Sequence, residues 1–171
     1  MIHIVFDLEA TCWKNGTTPR RMETIEIGAA RLEPGTYEIS DTFGTFVKPV
    51  EEPVLSGFCR ELTSICQADV DEAPMFLEAL GNFLRWAGNG DITFCSWGAY
   101  DMKQIAVDCG RHDIETPAVM SNHINLKALF AELRDRKPCG MRRALNILGL
   151  PLTGTHHRGA DDAVNIARIA K

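Results

Sequence analysis

Residues 2–13 read IHIVFDLEATCW, and the reading of this stretch decides the rest of the chain. Residues 2–8 have the apolar, β-branched character of a strand in the middle of a sheet. Side chains two apart on a strand point to the same side. Asp7 and Glu9 would therefore stand together at the end of a buried strand. Two carboxylates about 4 Å apart repel by roughly 4 kcal/mol at an effective dielectric near 20. Either the pair lies on a solvated edge, or a cation comes to sit beside it.

Outward from that strand, the pattern predicts a hairpin over residues 24–49. It is built of a strand at 24–33, the turn Pro34-Gly35-Thr36 and a third strand within 37–50. Two short helices follow between Cys59 and Ala68. Pro74 opens a longer helix, with Phe76, Leu77, Leu80, Phe83 and Leu84 at helical spacing, and GNGD (88–91) closes it. A fourth strand is expected at 92–97 and a helix at 99–110 capped by Gly110. A connection over 111–124 has room for one short strand, and helices follow at 125–135, 141–150 and 160–171. A strand, a hairpin and then alternating helices and strands make an α/β protein: a mixed sheet with helices on both faces, in one domain over 1–171.

The chain has 171 residues, enough to bury a full core. No apolar run reaches membrane-spanning length, so no membrane partner is expected. Met1 leads directly into the first strand without a basic region or cleavage site, so no export signal is expected either. Cys12, Cys59, Cys66, Cys95, Cys109 and Cys139 form no C-x-x-C pair. Reduced, mostly buried thiols and a cytoplasmic location are the expectation. The net charge of −5 argues mildly against a nucleic-acid binder, but a cluster of metal-binding acids inflates that count. Two divalent ions would bring it to −1, so a polyanionic substrate stays compatible.

Acids recur at the ends of elements. FDLE closes the first strand, and WGAYDMKQI puts Asp101 in the first turn of a helix after the fourth strand. HHRGADDA sets His157 and Asp162 five residues apart across a loop-to-helix junction. Ligands in open α/β folds gather beyond the carboxyl ends of parallel strands. Asp7, Glu9 and Asp101 could converge there, with Asp162 added from the last helix. Hard divalent cations take oxygen ligands, so Mg²⁺ or Mn²⁺ fits this set better than zinc. Two such ions can serve the attacking and leaving oxygens of a phosphoryl displacement. A histidine of near-neutral pKa suits proton abstraction from water. Each piece alone has a plainer reading: Asp101 as a helix N-terminal acid, Asp161 and Asp162 as caps, His157 as a loop residue.

Together, FDLEAT, SWGAYD and HRGADDA resemble the three exonuclease motifs of the DEDD superfamily, in its histidine-containing DEDDh branch. The intervening LSGFCRELTSICQADVDEA and ADDAVNIARIA are similar to the enhancer-of-RNAi and 3′-histone-mRNA exoribonuclease group. The resemblance spans nearly the whole chain. It implies a ribonuclease-H-like fold with a five-stranded mixed sheet and two divalent metal ions. It implies Asp7, Glu9, Asp101 and Asp162 as metal ligands and His157 as general base. His156 with Asp161 has the same spacing; the family pattern selects His157 with Asp162. Asp161 is then a cap or supporting group, and His156 a loop residue.

The resemblance further implies that Tyr100 stacks on the terminal base, that Ala10 and Thr11 bring backbone near the terminal ribose, and that Phe58 lines the same pocket. Tyr100 and Phe58 have a core role as the alternative. Glu26, in an otherwise apolar strand, would be a buried supporting acid and not a ligand. Arg158 would meet a phosphate or lie in solvent. Trp13 and Trp97 flank motifs without an assigned contact. No basic stripe or appended nucleic-acid-binding segment is seen, which points to short or single-stranded ends or to a partner that supplies affinity. The expected activity is a metal-dependent 3′–5′ exonuclease releasing 5′-mononucleotides from single-stranded RNA. The alternatives are a DNA-directed exonuclease and a silent RNA-end-binding module.

Overall fold

The computed structural model describes residues 1–16 and 19–171, with Pro19 described in its backbone alone. Five strands, β1 (Ile2–Ala10), β2 (Thr24–Leu32), β3 (Ile39–Phe46), β4 (Ile92–Ser96) and β5 (His123–Asn125), form one sheet in the order β3-β2-β1-β4-β5. β2 runs antiparallel to β1 and β3, whereas β4 is parallel to both β1 and β5. The expected mixed five-stranded sheet is therefore present, with β1 at its centre. The helices among the described residues are α1 (Gly57–Thr63), α2 (Gln67–Asp71), α3 (Phe76–Ala87), α4 (Tyr100–Arg111), α5 (Leu126–Leu133), α6 (Met141–Leu148) and α7 (Gly159–Ala170).

The alternation of β1 sorts the core into two layers. Ile4, Phe6 and Leu8 pack with Phe76, Leu80 and Phe83 of α3 and Ile105 of α4. Val5 packs on the other face with Met141 and Leu145 of α6 and Ile166 of α7. Each large buried side chain stabilises the fold by about 1.5–3 kcal/mol. Asp7 and Glu9 continue the Val5 row, so strand geometry places them on the α6–α7 face. In the register, Val5, Asp7 and Glu9 stand opposite Ala30, Gly28 and Glu26 of β2.

Gly28 shows why α7 can come so close. A Cβ there would lie 1.9 Å from the Gly159 carbonyl carbon. A Cβ on Gly159 would in turn lie 3.1 Å from the Asp7 carbonyl oxygen. The first turn of α7 thus rests directly on the backbone of β1 and β2, the close approach that an isolated strand glycine signals. Asp162 is carried to the acids by that contact.

Several expected boundaries move. β1 extends two residues beyond the expected 2–8, which puts Glu9 within the ladder. β3 covers only Ile39–Phe46 of 37–50; it starts late because Tyr37 adopts a positive φ of 56°. Gly110 does not cap α4. The helix runs to Arg111, and Asp113 takes the left-handed conformation (φ 53°). The Ile114 N–H then donates to the Cys109 carbonyl and the Asp113 N–H to the Gly110 carbonyl, a Schellman closure built on Asp rather than Gly. All six cysteines are free, but only Cys59, Cys95 and Cys109 are buried, fewer than expected; Cys66 is exposed. No helix among the described residues is long and apolar enough to cross a membrane.

Candidate active site

Three elements converge on the tip of β1. The strand supplies Asp7 and Glu9, the first turn of α4 supplies Asp101, and the first turn of α7 supplies Asp162. One oxygen each of Asp7, Glu9 and Asp162 lie within 4.8 Å of one another. Asp101 stands slightly apart: its Oδ1 accepts the Leu8 N–H at 3.2 Å. Its charge nevertheless acts on Asp7 more strongly than that of any other neighbouring acid. The acids of β1 and α7 line a cleft of about 330 Å³ together with Trp97, Arg142, His156 and His157. Larger grooves, of about 490 and 580 Å³, lie elsewhere on the surface and contain none of these four acids.

The cluster lacks positive charge. Burial, then Asp101, Glu9 and Asp162, hold the Asp7 carboxyl well above its ordinary range. Burial and the neighbouring Asp162, Glu26 and Asp101 push Glu9 up to about 8. Burial also lifts Asp101 to about 6, although the Leu8 amide opposes it. Asp162 is raised by burial and partly relieved by His156 and His157. Asp7 and Glu9 accept no hydrogen bond from a described residue. Buried carboxylates are ordinarily paired or hydrogen-bonded, or they coordinate metal. An all-oxygen set with unused acceptor sites fits hard divalent cations. Asp7, Glu9 and Asp162 are poised to share one, with Asp101 beside Asp7.

The two histidines divide their contacts unlike the sequence expectation. His157 donates its backbone N–H to Asp162 Oδ2 at 3.0 Å. The ring contact belongs to His156, whose Nδ1 lies 3.2 and 3.0 Å from the two Asp162 oxygens. His156 is therefore part of the cleft and not a loop bystander. The rings stack with centroids 4.0 Å apart. His157 has the left-handed φ of 64°, which turns the chain into α7. Burial first, then His156, lower its pKa, favouring the neutral ring. Asp161 faces away: its Oδ2 accepts the Thr155 N–H at 2.7 Å and closes the preceding loop against Gly154.

Glu26 is buried opposite Glu9, as a supporting acid should be. Its Oε2 accepts the Gly159 N–H at 2.9 Å and the Arg158 Nε–H at 3.2 Å, and Oε1 accepts from Arg158 Nη2 at 3.3 Å. Arg158 also lies over the Phe46 ring at 5.1 Å. Both readings of Arg158, phosphate contact and free solvation, give way to this pairing. Its fork holds Glu26 and the start of α7 in place.

Tyr100 immediately precedes Asp101 and is 40% exposed, so it is not a core residue. Its hydroxyl reaches Gln104 Oε1 at 3.5 Å, and burial together with Asp101 and Glu9 raises its pKa. Ala10 and Thr11 are buried just past Glu9. The Thr11 amide donates to the Glu23 carbonyl at 2.9 Å, and Thr11 Oγ1 accepts the Glu23 N–H at 3.0 Å. Phe58 is 38% exposed on α1, outside both the core and the lining of this cleft. Its neighbour Cys59 touches the Ala10 carbonyl, with Sγ at 3.8 Å. Trp97 lines the cleft and donates from Nε1 to the Cys139 carbonyl at 3.0 Å. Trp13 instead lies beneath the Arg21 guanidinium, 4.4 Å from the ring centroid. The sequence reading missed Arg142 and His156 as lining residues. Spacing alone gave no sign of Arg142, since it belongs to no motif and only the packing of α6 beside the cleft brings it there.

An exonuclease family model matches residues 4–170. ERI1 exoribonuclease 2 of Mus musculus is 33% identical over 189 residues, covering 98% of this chain and 28% of its own length. 3′-5′ exoribonuclease 1 of Mus musculus is 32% identical over 175 residues, covering 97% of this chain and 51% of its own. The chain thus spans from about a quarter to half of these relatives. The crystal structure of the nuclease domain of 3′hExo, a DEDDh family member bound to rAMP, superposes with a TM-score of 0.92 at 31% identity, covering 99% of this chain and 89% of that one. With this ribonuclease-H-like sheet and these matches from end to end, the chain belongs to the exonuclease family, in its DEDDh branch, close to the ERI1 and 3′-histone-mRNA exonuclease group.

Proposed function

We propose that residues 1–171 form one exonuclease domain that removes 5′-mononucleotides from the 3′ end of single-stranded RNA. The observation that carries this reading is the convergence of Asp7, Glu9 and Asp162, with Asp101 behind Asp7, on one cleft that also holds His156 and a His157 whose burial favours the neutral ring. Two divalent cations, Mg²⁺ or Mn²⁺, held by Asp7, Glu9, Asp101 and Asp162 would supply positive charge for the attacking water and the departing 3′ oxygen. The ring of His157 takes the proton of the water that attacks the terminal phosphorus. The bond from phosphorus to O3′ breaks, that oxygen takes a proton from solvent water, and His157 returns its proton to solvent. Positioned bases contribute about 10²–10⁴-fold. His156 orients Asp162, and Glu26 with Arg158 fixes the helix turn that carries it.

The 3′–5′ direction and the preference for RNA are supported by the relatives' names and by the ribonucleotide bound to 3′hExo. On this chain, Tyr100 offers an exposed aromatic face beside Asp101, and base–aromatic stacking contributes about 1–3 kcal/mol. Ala10 and Thr11 present the backbone that would approach the terminal ribose. Phe58, being exposed, is free to close over the base from α1.

The test is digestion of end-labelled single-stranded RNA and DNA of one sequence with Mg²⁺. The expected result is stepwise shortening from the 3′ end with release of 5′-mononucleotides, faster on ribose than on deoxyribose ends, stopped by EDTA and restored by Mg²⁺. Faster loss of DNA would make the chain a DNA-directed exonuclease. Tight RNA binding without hydrolysis would make it a silent end-binding module.

A further inference from the structure

We propose that Arg142, at the start of α6, grips a backbone phosphate of the single strand as its 3′ end enters the cleft. This rests on the nuclease reading of the same site. A chain of net charge −5 that gathers four acids at its active centre must still draw in a polyanion. Arg142 is the one lysine or arginine in the lining of the cleft that also contains Asp7, Glu9 and Asp162. It is exposed, and no described residue accepts a hydrogen bond or forms an ion pair with it.

Arg158 beside the site, and Arg21 and Arg111 farther from it, are already engaged. Arg158 is held by Glu26, Arg21 by Glu52, and Arg111 by Glu51 and Asp108. Guanidinium suits this task because its planar fork matches two phosphate oxygens at once. A grip of this kind reads the backbone and not the bases, so it adds affinity without sequence preference.

Salt dependence separates this role from a structural one. Each phosphate contact to a single strand contributes a slope of roughly 0.7 to the fall of log K with log salt. Binding of a short fluorescent single-stranded RNA would be followed by anisotropy, with Mg²⁺ present, on an Asp7→Asn background that does not consume the probe. Arg142→Ala is expected to bind several-fold more weakly, to the same degree on different sequences, with a slope shallower by roughly 0.7. Arg142→Lys should keep the slope. Arg143→Ala, on the neighbouring exposed position outside the cleft lining, should match the parent.

In the otherwise unchanged chain, the loss from Arg142→Ala should fall on KM more than on kcat. An unchanged slope in Arg142→Ala, or an equal loss in Arg143→Ala, overturns the proposal. If the unsubstituted chain binds RNA but releases no nucleotides, the nuclease reading fails while the slopes still judge Arg142.

Discussion

Two sets of buried acids lie within a few residues of one another in this molecule, and they are treated in opposite ways. Glu23, Glu26 and Asp108 are supplied with donors. Glu23 accepts the backbone N–H groups of Val50, Glu51 and Glu52. Glu26 takes Arg158 and the Gly159 amide. Asp108 takes the Thr24 hydroxyl at 2.7 Å, Gln104 Nε2 at 3.1 Å and the Arg111 guanidinium. The carboxylates of Glu9, buried, and Asp7, half-buried at the tip of β1, receive none, and Asp101 receives the Leu8 amide at 3.2 Å. The supplied acids tie segments together: the entry to β2 at Glu23 to the loop at 50–52, β2 to α7, and β2 to α4. Asp7 and Glu9 tie nothing, and burial first, then the neighbouring acids, raises their pKa. A fold keeps starved acids where a cation completes them. The difference in donor supply separates Asp7 and Glu9 from the braces, whereas Asp162, the third proposed ligand, is held by His156 and His157.

Substitutions test this contrast from its largest effect downward. Asp7→Asn should lower the rate of RNA digestion by about 10³-fold or more, since several kcal/mol of charge stabilisation depend on the cluster. It should leave the melting temperature of the metal-free chain unchanged or raised, because a costly buried acid has been removed. His157→Ala should cost about 10²–10⁴-fold in rate. His156→Ala, read by titration of activity against Mn²⁺, should act chiefly on metal affinity, by about 10–100-fold, as supporting groups of metal ligands do. If His156→Ala gives the larger loss of rate at saturating metal, the roles of the two rings are exchanged. Glu26→Gln should destabilise by about 1–3 kcal/mol, because Arg158 loses its charged partner. At about 2–4 °C per kcal/mol for a chain of this size, calorimetry would resolve the drop in melting temperature. A starved acid and a supplied one should thus shift metal-free stability in opposite directions when neutralised. Equal shifts would dissolve the distinction.

The sequence made much of this legible, and its silences have physical causes. IHIVFDLEA reads as a near-continuous apolar run because β1 is buried on both faces, and the side-to-side geometry of a strand places Asp7 and Glu9 together without coordinates. Asp101 and Asp162 were readable because each lies in the first turn of a helix that follows a clear break. The donor supply was not readable. Nothing near Glu26 in the chain announces Arg158, which comes from 132 residues away. The division of labour between His156 and His157 turns on one left-handed residue, and adjacent histidines have identical composition signals. Gly110 misled because a glycine near a helix end is the commonest stop, and Asp113 supplied the left-handed turn instead. Arg142 was invisible for the same reason as Arg158: tertiary packing alone brings it to the cleft.

In the proposed cation site of Asp7, Glu9, Asp101 and Asp162, protons hold the place of a cation until one arrives. In the metal-free chain Glu9 is raised to about 8 and Asp101 to about 6, both above their ordinary values. The protonated forms are therefore favoured by folding, and this contribution to stability is full at low pH and lost as pH rises through those values. A cation binding near neutral pH must displace protons. The direct measurement is calorimetric titration of Mn²⁺ into the metal-free chain at about pH 7, in two buffers of different ionisation enthalpy. Binding with net proton release, abolished by Asp7→Asn, is the expected result. Absence of binding, or binding that releases no protons and survives Asp7→Asn, would contradict it.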